Sequence, residues 1–153
     1  MASPDTKAIT GLEGTIDPRE PEGALAEFYR AFNGRALTLM ERNWAASAEI
    51  SMDNPLGGIC RGWEEIRAVY DRIFASPARV TVALHEYTIH RFGETFLAVG
   101  REYGAFLAGE VSFSLELRTS RLFVDAGDRW RQIHHHGSVE NPELLARYQA
   151  AVR

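Results

Sequence analysis

Residues 80–138 read VTVALHEYTIHRFGETFLAVGREYGAFLAGEVSFSLELRTSRLFVDAGDRWRQIHHHGS, and this stretch decides the fold. Apolar and polar residues alternate around Val82, Leu84 and Glu86, through Thr95, Leu97 and Val99, and again through Phe113, Leu115 and Leu117. A period of two marks strands with one buried face. Gly93-Glu94, Ala108-Gly109 and Asp125-Ala126-Gly127-Asp128 interrupt the pattern with turn residues. The spacing predicts strands over 80–90, 95–107, 111–124 and about 129–138. Turns this tight make the strands antiparallel, because a parallel crossover needs a dozen residues or more.

Upstream, the period becomes helical. Pro21 suits a first helical position, and Leu25, Phe28, Tyr29 and Phe32 follow at i, i+3, i+4 and i+7 until Asn33-Gly34. Leu37, Met40 and Trp44 mark a second helix. Ile50, Met52 and Asn54 alternate with Ser51, Asp53 and Pro55 as a short strand, followed by a loop over 55–58. A third helix carries Ile66, Val69, Tyr70, Ile73 and Phe74 on one side, with Glu64 and Glu65 in its first turn and Pro77 beyond its end. Asn141-Pro142 starts a last helix that runs to about residue 151. Residues 1–19 hold turn formers without periodicity and read as a flexible tail, leaving 20–153 as one domain. The order α-α-β-α-β-β-β-β-α predicts an α+β fold in which an antiparallel sheet curls around the N-terminal helices.

The chain has 153 residues, 45% of them hydrophobic, and a net charge of -4. Its charges are mixed and form no basic stripe, which argues against a nucleic-acid partner. No apolar run approaches a membrane span. The single cysteine, Cys60, excludes an intramolecular disulfide and is read as structural. With no signal-peptide pattern at the start, the expected location is the cytoplasm.

Three segments in this order resemble the nuclear transport factor 2-like superfamily over roughly residues 22–140. They are Glu27-Phe28-Tyr29-Arg30-Ala31-Phe32-Asn33; Asp53-Asn54-Pro55-Leu56-Gly57 with Arg61-Gly62 and Ile66–Tyr70; and Trp130-Arg131-Gln132-Ile133-His134-His135-His136-Gly137-Ser138. That superfamily has cone-shaped α+β folds and includes ketosteroid isomerase, SnoaL-like cyclases and the association domain of calcium/calmodulin-dependent protein kinase II. The resemblance to ketosteroid isomerase puts Tyr29 on an oxyanion tyrosine. It puts Asn54 where the general-base Asp precedes Pro55, and Asn cannot take a proton. Asp53 is adjacent but lies on the opposite strand face. The second oxyanion acid falls near Ser120. The resemblance therefore does not carry that isomerisation to this chain.

The resemblance to the kinase association domain puts Arg101 and Arg121 on pocket arginines and a third on Gly137. Two arginines in one apolar pocket would grip a carboxylate. The competing reading pairs Arg101 with Glu86, Glu102 or Glu116 across strands. On the last strand, strict alternation puts His135 in phase with Ile133 and Gly137, and Trp130, Gln132, His134 and His136 in the other phase. The resemblance implies that this second face is the outer one, which packs against a second subunit in many members, and His135 is expected inside. His134 and His136 at i, i+2 could chelate zinc with His85, His90 or Glu86, but the reading taken is no metal and no cofactor. His135 is a candidate proton carrier or neutral hydrogen-bonding group.

Trp44, Trp63, Tyr70, Phe74, Phe96 and Phe106 supply aromatic walls or core. The expected ligand set is Tyr29, Trp44, Asn54, Trp63, Tyr70, Arg101, Tyr103, Arg121 and His135, with Tyr29, Asn54 and His135 as the catalytic candidates. The expectation is a protein that binds a small organic carboxylate or carbonyl ligand and forms a homodimer, with the reaction unassigned. The alternative is a non-catalytic, homo-oligomerising association module.

Overall fold

The computed structural model describes residues 7–152. Its elements are α1 (Pro21–Asn33), α2 (Leu37–Asn43), β1 (Ser51–Asp53), β2 (Ile59–Arg61), α3 (Gly62–Ala75), β3 (Arg79–Phe92), β4 (Thr95–Ala108), β5 (Val111–Asp125), β6 (Trp130–Val139) and α4 (Pro142–Ala151). The strands form one curved, unclosed sheet in the order β2-β1-β6-β5-β4-β3. β3 to β6 make the antiparallel meander read from the turns. β2, too short to show periodicity, pairs antiparallel with β1, and β1 joins β6 in parallel. No helix among the described residues is long and apolar enough to cross a membrane.

The sheet's concave face closes on α1 and α3. Leu25, Phe28 and Tyr29 of α1 and Ile66, Val69 and Tyr70 of α3 are buried against Met52, Val82, Leu84, Phe96, Phe106, Leu115, Leu117 and Phe123. Asn33 ends α1 by bonding outward rather than capping. Its Oδ1 accepts from the Val82 N–H at 2.9 Å, and its Nδ2 donates to the Val82 carbonyl at 2.8 Å. At the other end, the Asn141 side chain caps α4 by accepting from the Glu143 and Leu144 N–H groups.

Residues 1–6 of the expected tail lie outside the described residues. Within residues 7–19 the chain is tied to the domain at Ile9, Gly11 and Pro18, while Leu12 is 87% exposed. Ile9 is buried and exchanges two 2.9 Å backbone bonds with Leu84, the Arg30 Nε donates to the Gly11 carbonyl, and the Trp130 N–H donates to the Pro18 carbonyl. These bonds follow no period, because the segment is an irregular strap with a single bridge to β3.

Two bulges change which side chains face in. In β3 the register slips between His85 and Thr88, and Glu86 adopts φ 49°. His85 and Glu86 therefore both turn outward, and Tyr87 returns to the core. Gly100 opposes this bulge; a Cβ there would lie 2.8 Å from the His85 carbonyl oxygen, so no larger residue fits. In β6 the register slips at Ile133, since Leu122 pairs with His134 but Phe123 with Gln132. Trp130 and Gln132, expected outside by strict alternation, are 3% and 0% exposed and face inward. The extra residue reverses the phase between them and His134.

Candidate functional site

Arg121 is the largest charged group inside the cone. β5 presents Leu115, Leu117, Thr119, Arg121 and Phe123 to the interior, and Arg121 is 2% exposed. An unpaired guanidinium could not be held there, so its surroundings are built to hold it. Its Nη2 donates to Glu102 Oε1 at 2.8 Å, its Nη1 to Gln132 Oε1 at 2.9 Å and its Nε to Tyr29 Oη at 3.4 Å. Tyr29 Oη itself donates to Glu102 Oε1 at 2.9 Å. The guanidinium carbon lies 3.6 Å from the Phe28 ring centroid, a cation–π stack. Burial alone would lower the Arg121 pKa. Tyr29 and Glu102 more than offset this, so the group stays charged. Burial and the Glu102 charge push the Tyr29 hydroxyl well above its ordinary range, keeping it a neutral donor.

The network continues outward from Gln132. Gln132 Nε2 donates to Asn43 Oδ1 at 3.2 Å, and Asn43 Nδ2 donates to Glu27 Oε1 at 3.0 Å. Glu27 forms an ion pair with Arg129. Polar groups on α1, α2, β4, β5 and β6 are thus joined through the core, which fixes the helices against the sheet.

His135 lies beside this cluster, on the neighbouring strand in register with Arg121. Its Nε2 is 2.9 Å from Thr119 Oγ1, and its Nδ1 is buried without a partner. Burial, followed by the charges of Arg121, His134 and His136, holds its pKa well below the ordinary imidazole value. The ring is therefore neutral at pH 7. Gly137 makes room for it: a Cβ there would meet the His135 ring and Pro55 Cδ at 3.2 Å.

Arg121, Glu102 and His135 border a cavity of about 60 Å³, walled on the helix side by Phe28 and Tyr70. The Tyr70 pKa is pushed up to about 12 by burial, an effect that Arg121 and the Trp44 indole reduce. A second space of about 300 Å³ lies toward the surface, with Arg72 and Ser76 on its lining. The two spaces share Asn54, Leu56, Val69, Ile73, Val80 and Tyr148 as lining, so they lie side by side. α4 closes part of the mouth, with Tyr148 buried and Gln149 Nε2 donating to the Leu56 carbonyl at 3.2 Å.

Of the expected ligand set, Asn54, Tyr70, Arg121 and His135 border the inner cavity. Tyr29 stands behind Arg121. Trp44 is buried and bridges to Gln132 of β6, while Trp63 packs against the core. Arg101 and Tyr103 are not in this group. Both face the outer side, where Arg101 Nη1 lies 3.2 Å from Glu86 Oε2 and Tyr103 Oη donates to the same oxygen at 2.9 Å. The reason is phase: β4 sends Phe96, Ala98, Glu102 and Phe106 inward, so odd-numbered Arg101 and Tyr103 point out.

Glu102, Gln132, Asn43 and Thr119 were missed as members of the cluster. Glu102 could have been found, as the one carboxylate in phase with Phe96, Ala98 and Phe106. Gln132 could not, because its orientation depends on the bulge.

A model of the SnoaL-like domain family matches residues 22–142. The chain belongs to the SnoaL-like domain family. Solved structures agree on the nuclear transport factor 2-like fold. A Thiobacillus denitrificans protein, named provisionally as a calcium/calmodulin-dependent protein kinase type II association domain, matches with TM-score 0.71 and 22% identity, over 83% of this chain and 99% of that one. A Streptomyces avermitilis protein of the NTF2-like family, named provisionally as a dehydratase, matches with TM-score 0.71 and 20% identity, over 77% of this chain and 91% of that one. A Salmonella enterica NTF2-like superfamily protein matches with TM-score 0.69 and 20% identity, over 77% and 87%. At these identities the likeness establishes the fold alone. No curated protein matches the chain.

Proposed function

We propose that this SnoaL-like protein binds a small, mainly apolar and uncharged organic molecule by a carbonyl group. The observation that carries the reading is the direct pairing of Arg121 with Glu102 inside the cone. The sequence left carboxylate and carbonyl ligands both open. A carboxylate would add a second anion to a guanidinium already neutralised, beside a neutral His135, and would be buried without a counter-charge. A carbonyl oxygen needs only donors. Three of the five Arg121 N–H groups are committed to Glu102, Gln132 and Tyr29, which leaves two. The Asn54 amide borders the same space, with its Oδ1 accepting from the Leu56 N–H at 3.0 Å.

Any proton transfer in this pocket falls to His135. The Asn54 amide is neither an acid nor a base near neutral pH, and Glu102 is held by Arg121 and Tyr29. The reading includes a cytoplasmic setting and needs no cofactor.

The test is calorimetric titration and thermal shift with small aryl ketones and the matching aryl carboxylates. The ketones are expected to stabilise the fold, by about 2.7 kcal/mol at a hundredfold excess over Kd. His135→Ala should weaken them roughly tenfold, the worth of one buried hydrogen bond. Preferential binding of the carboxylates would overturn the reading.

The resemblance to two proteins named provisionally as kinase association domains favours a second reading, homodimeric association through the outer sheet face. Val99 and Leu107 are exposed on β4, as is Val111 at the start of β5. A monomer by light scattering at micromolar concentration would remove this second reading. It is compatible with the first.

A further inference from the structure

We infer a divalent transition-metal site of the zinc class on the outer face of the sheet, formed by Asp53 of β1 with His134 and His136 of β6. The parallel pairing of these strands builds it. Ser51 stands beside His134, Met52 beside His135 and Asp53 beside His136. Alternation sends Met52 and His135 inward, and it sends the two flanking histidines and Asp53 to the opposite side. Taking one donor atom from each, the three lie within 4.8 Å of one another.

Two parts of the site are already assembled. His136 Nδ1 is 2.6 Å from Asp53 Oδ2, and Ser51 Oγ is 2.7 Å from His134 Nδ1, where it fixes that ring. Such an outer partner to a ligating histidine recurs at metal sites. Zinc bonds of roughly 2.0–2.2 Å put neighbouring tetrahedral ligands about 3.4 Å apart. A small rotation of the side chains therefore closes the triad on one ion.

The donor set also selects the ion. Two imidazoles and one carboxylate suit zinc and its neighbours in the transition series rather than magnesium or calcium, which prefer oxygen ligands. The His136 and Asp53 side chains are 56% and 31% exposed, so an ion can enter from solvent and keep water in its remaining position. The third ligand comes from β1. His85, His90 and Glu86, the partners considered from the sequence, lie on β3, three strands from β6 in the sheet. At about 4.8 Å per strand, that is roughly 14 Å away.

The test uses the full chain after treatment with a chelator. Zn²⁺ is titrated by calorimetry, and Co²⁺ is added as a spectroscopic probe. One ion per chain is expected, with a rise in Tm and visible Co²⁺ absorption. Asp53→Asn, His134→Gln and His136→Gln should each weaken Zn²⁺ at least tenfold, whereas His90→Gln and Cys60→Ser should not. Circular dichroism and the metal-free melting curve of each variant verify that the fold is kept; His136, the most exposed of the three, is the safest substitution. Absence of saturable Zn²⁺ binding at micromolar concentration overturns the assignment. So does binding that survives loss of both histidines, or binding indifferent to Asp53→Asn.

Discussion

Arg101 and Arg121 lie on adjacent antiparallel strands, and each stands beside a glutamate. Arg101 Nη1 is 3.2 Å from Glu86, and its side chain is 41% exposed. Arg121 Nη2 is 2.8 Å from Glu102, and its side chain is 2% exposed. On the outer face, water and salt supply most of what a charge needs, so the partner is optional. Inside the cone, nothing but the protein can supply it, and Glu102, Tyr29, Gln132 and Phe28 do so together. The same residue type is therefore a surface charge in one place and the anchor of a network in the other. Strand phase decides which.

The largest effect that sharpens this comparison is expected from Arg121→Met. It removes the guanidinium but leaves Glu102 buried without its cation. Breaking a buried pair in this way costs about 3–5 kcal/mol, read from the urea unfolding midpoint. Adding Glu102→Leu should recover much of that loss, because the stranded charge then goes too. A single substitution no more costly than one on the outer face would show that Arg121 is not held as described.

The next effect is one of pH. The folded-state pKa of His135 lies well below the ordinary value near 6.5 because burial disfavours the imidazolium. Below pH 6.5 the unfolded chain therefore binds a proton that the folded chain refuses. Stability from this residue is present above that pH and is lost as pH falls, with a slope of up to about 1.4 kcal/mol per pH unit. His135→Gln should flatten this part of the stability profile between pH 6.5 and 5. An unchanged slope would mean that the ring is reached by solvent.

Much of this arrangement was legible in the residues. Turn chemistry at 93–94, 108–109 and 125–128 placed the meander, and the stripe through Leu25, Phe28, Tyr29 and Phe32 placed α1 beneath it. His135 was read inward and is inward, with Arg121 and Asn54 beside it at the cavity. The losses have two physical sources. The first is the bulge: one extra residue at Ile133 turned Gln132 to the interior and into contact with Arg121, and the slip at Glu86 turned that side chain out to meet Arg101. Nothing in the side-chain pattern announces such a residue. The second is non-local pairing. β1 is three residues long, so its parallel seat beside β6 could not be read, and with it went the neighbourhood of Asp53 with His134 and His136.

The smallest effect is the sharpest test of the division between faces. Arg101→Ala removes an exposed partner of Glu86, and Tyr103 still donates to that carboxylate. The urea midpoint should stay within error of the parent at low and high salt, and aryl-ketone affinity should not change. If the parent midpoint falls with added salt and that of Arg101→Ala does not, the outer pair carries stability after all, and exposure is a poor guide to its worth. If Arg101→Ala weakens ketone binding, the failure is of a different kind. A side chain on the convex face would then be felt in the cavity, which requires coupling through β4 by way of adjacent Glu102. That result would make the two faces one site, with Arg101 acting in it beside Arg121.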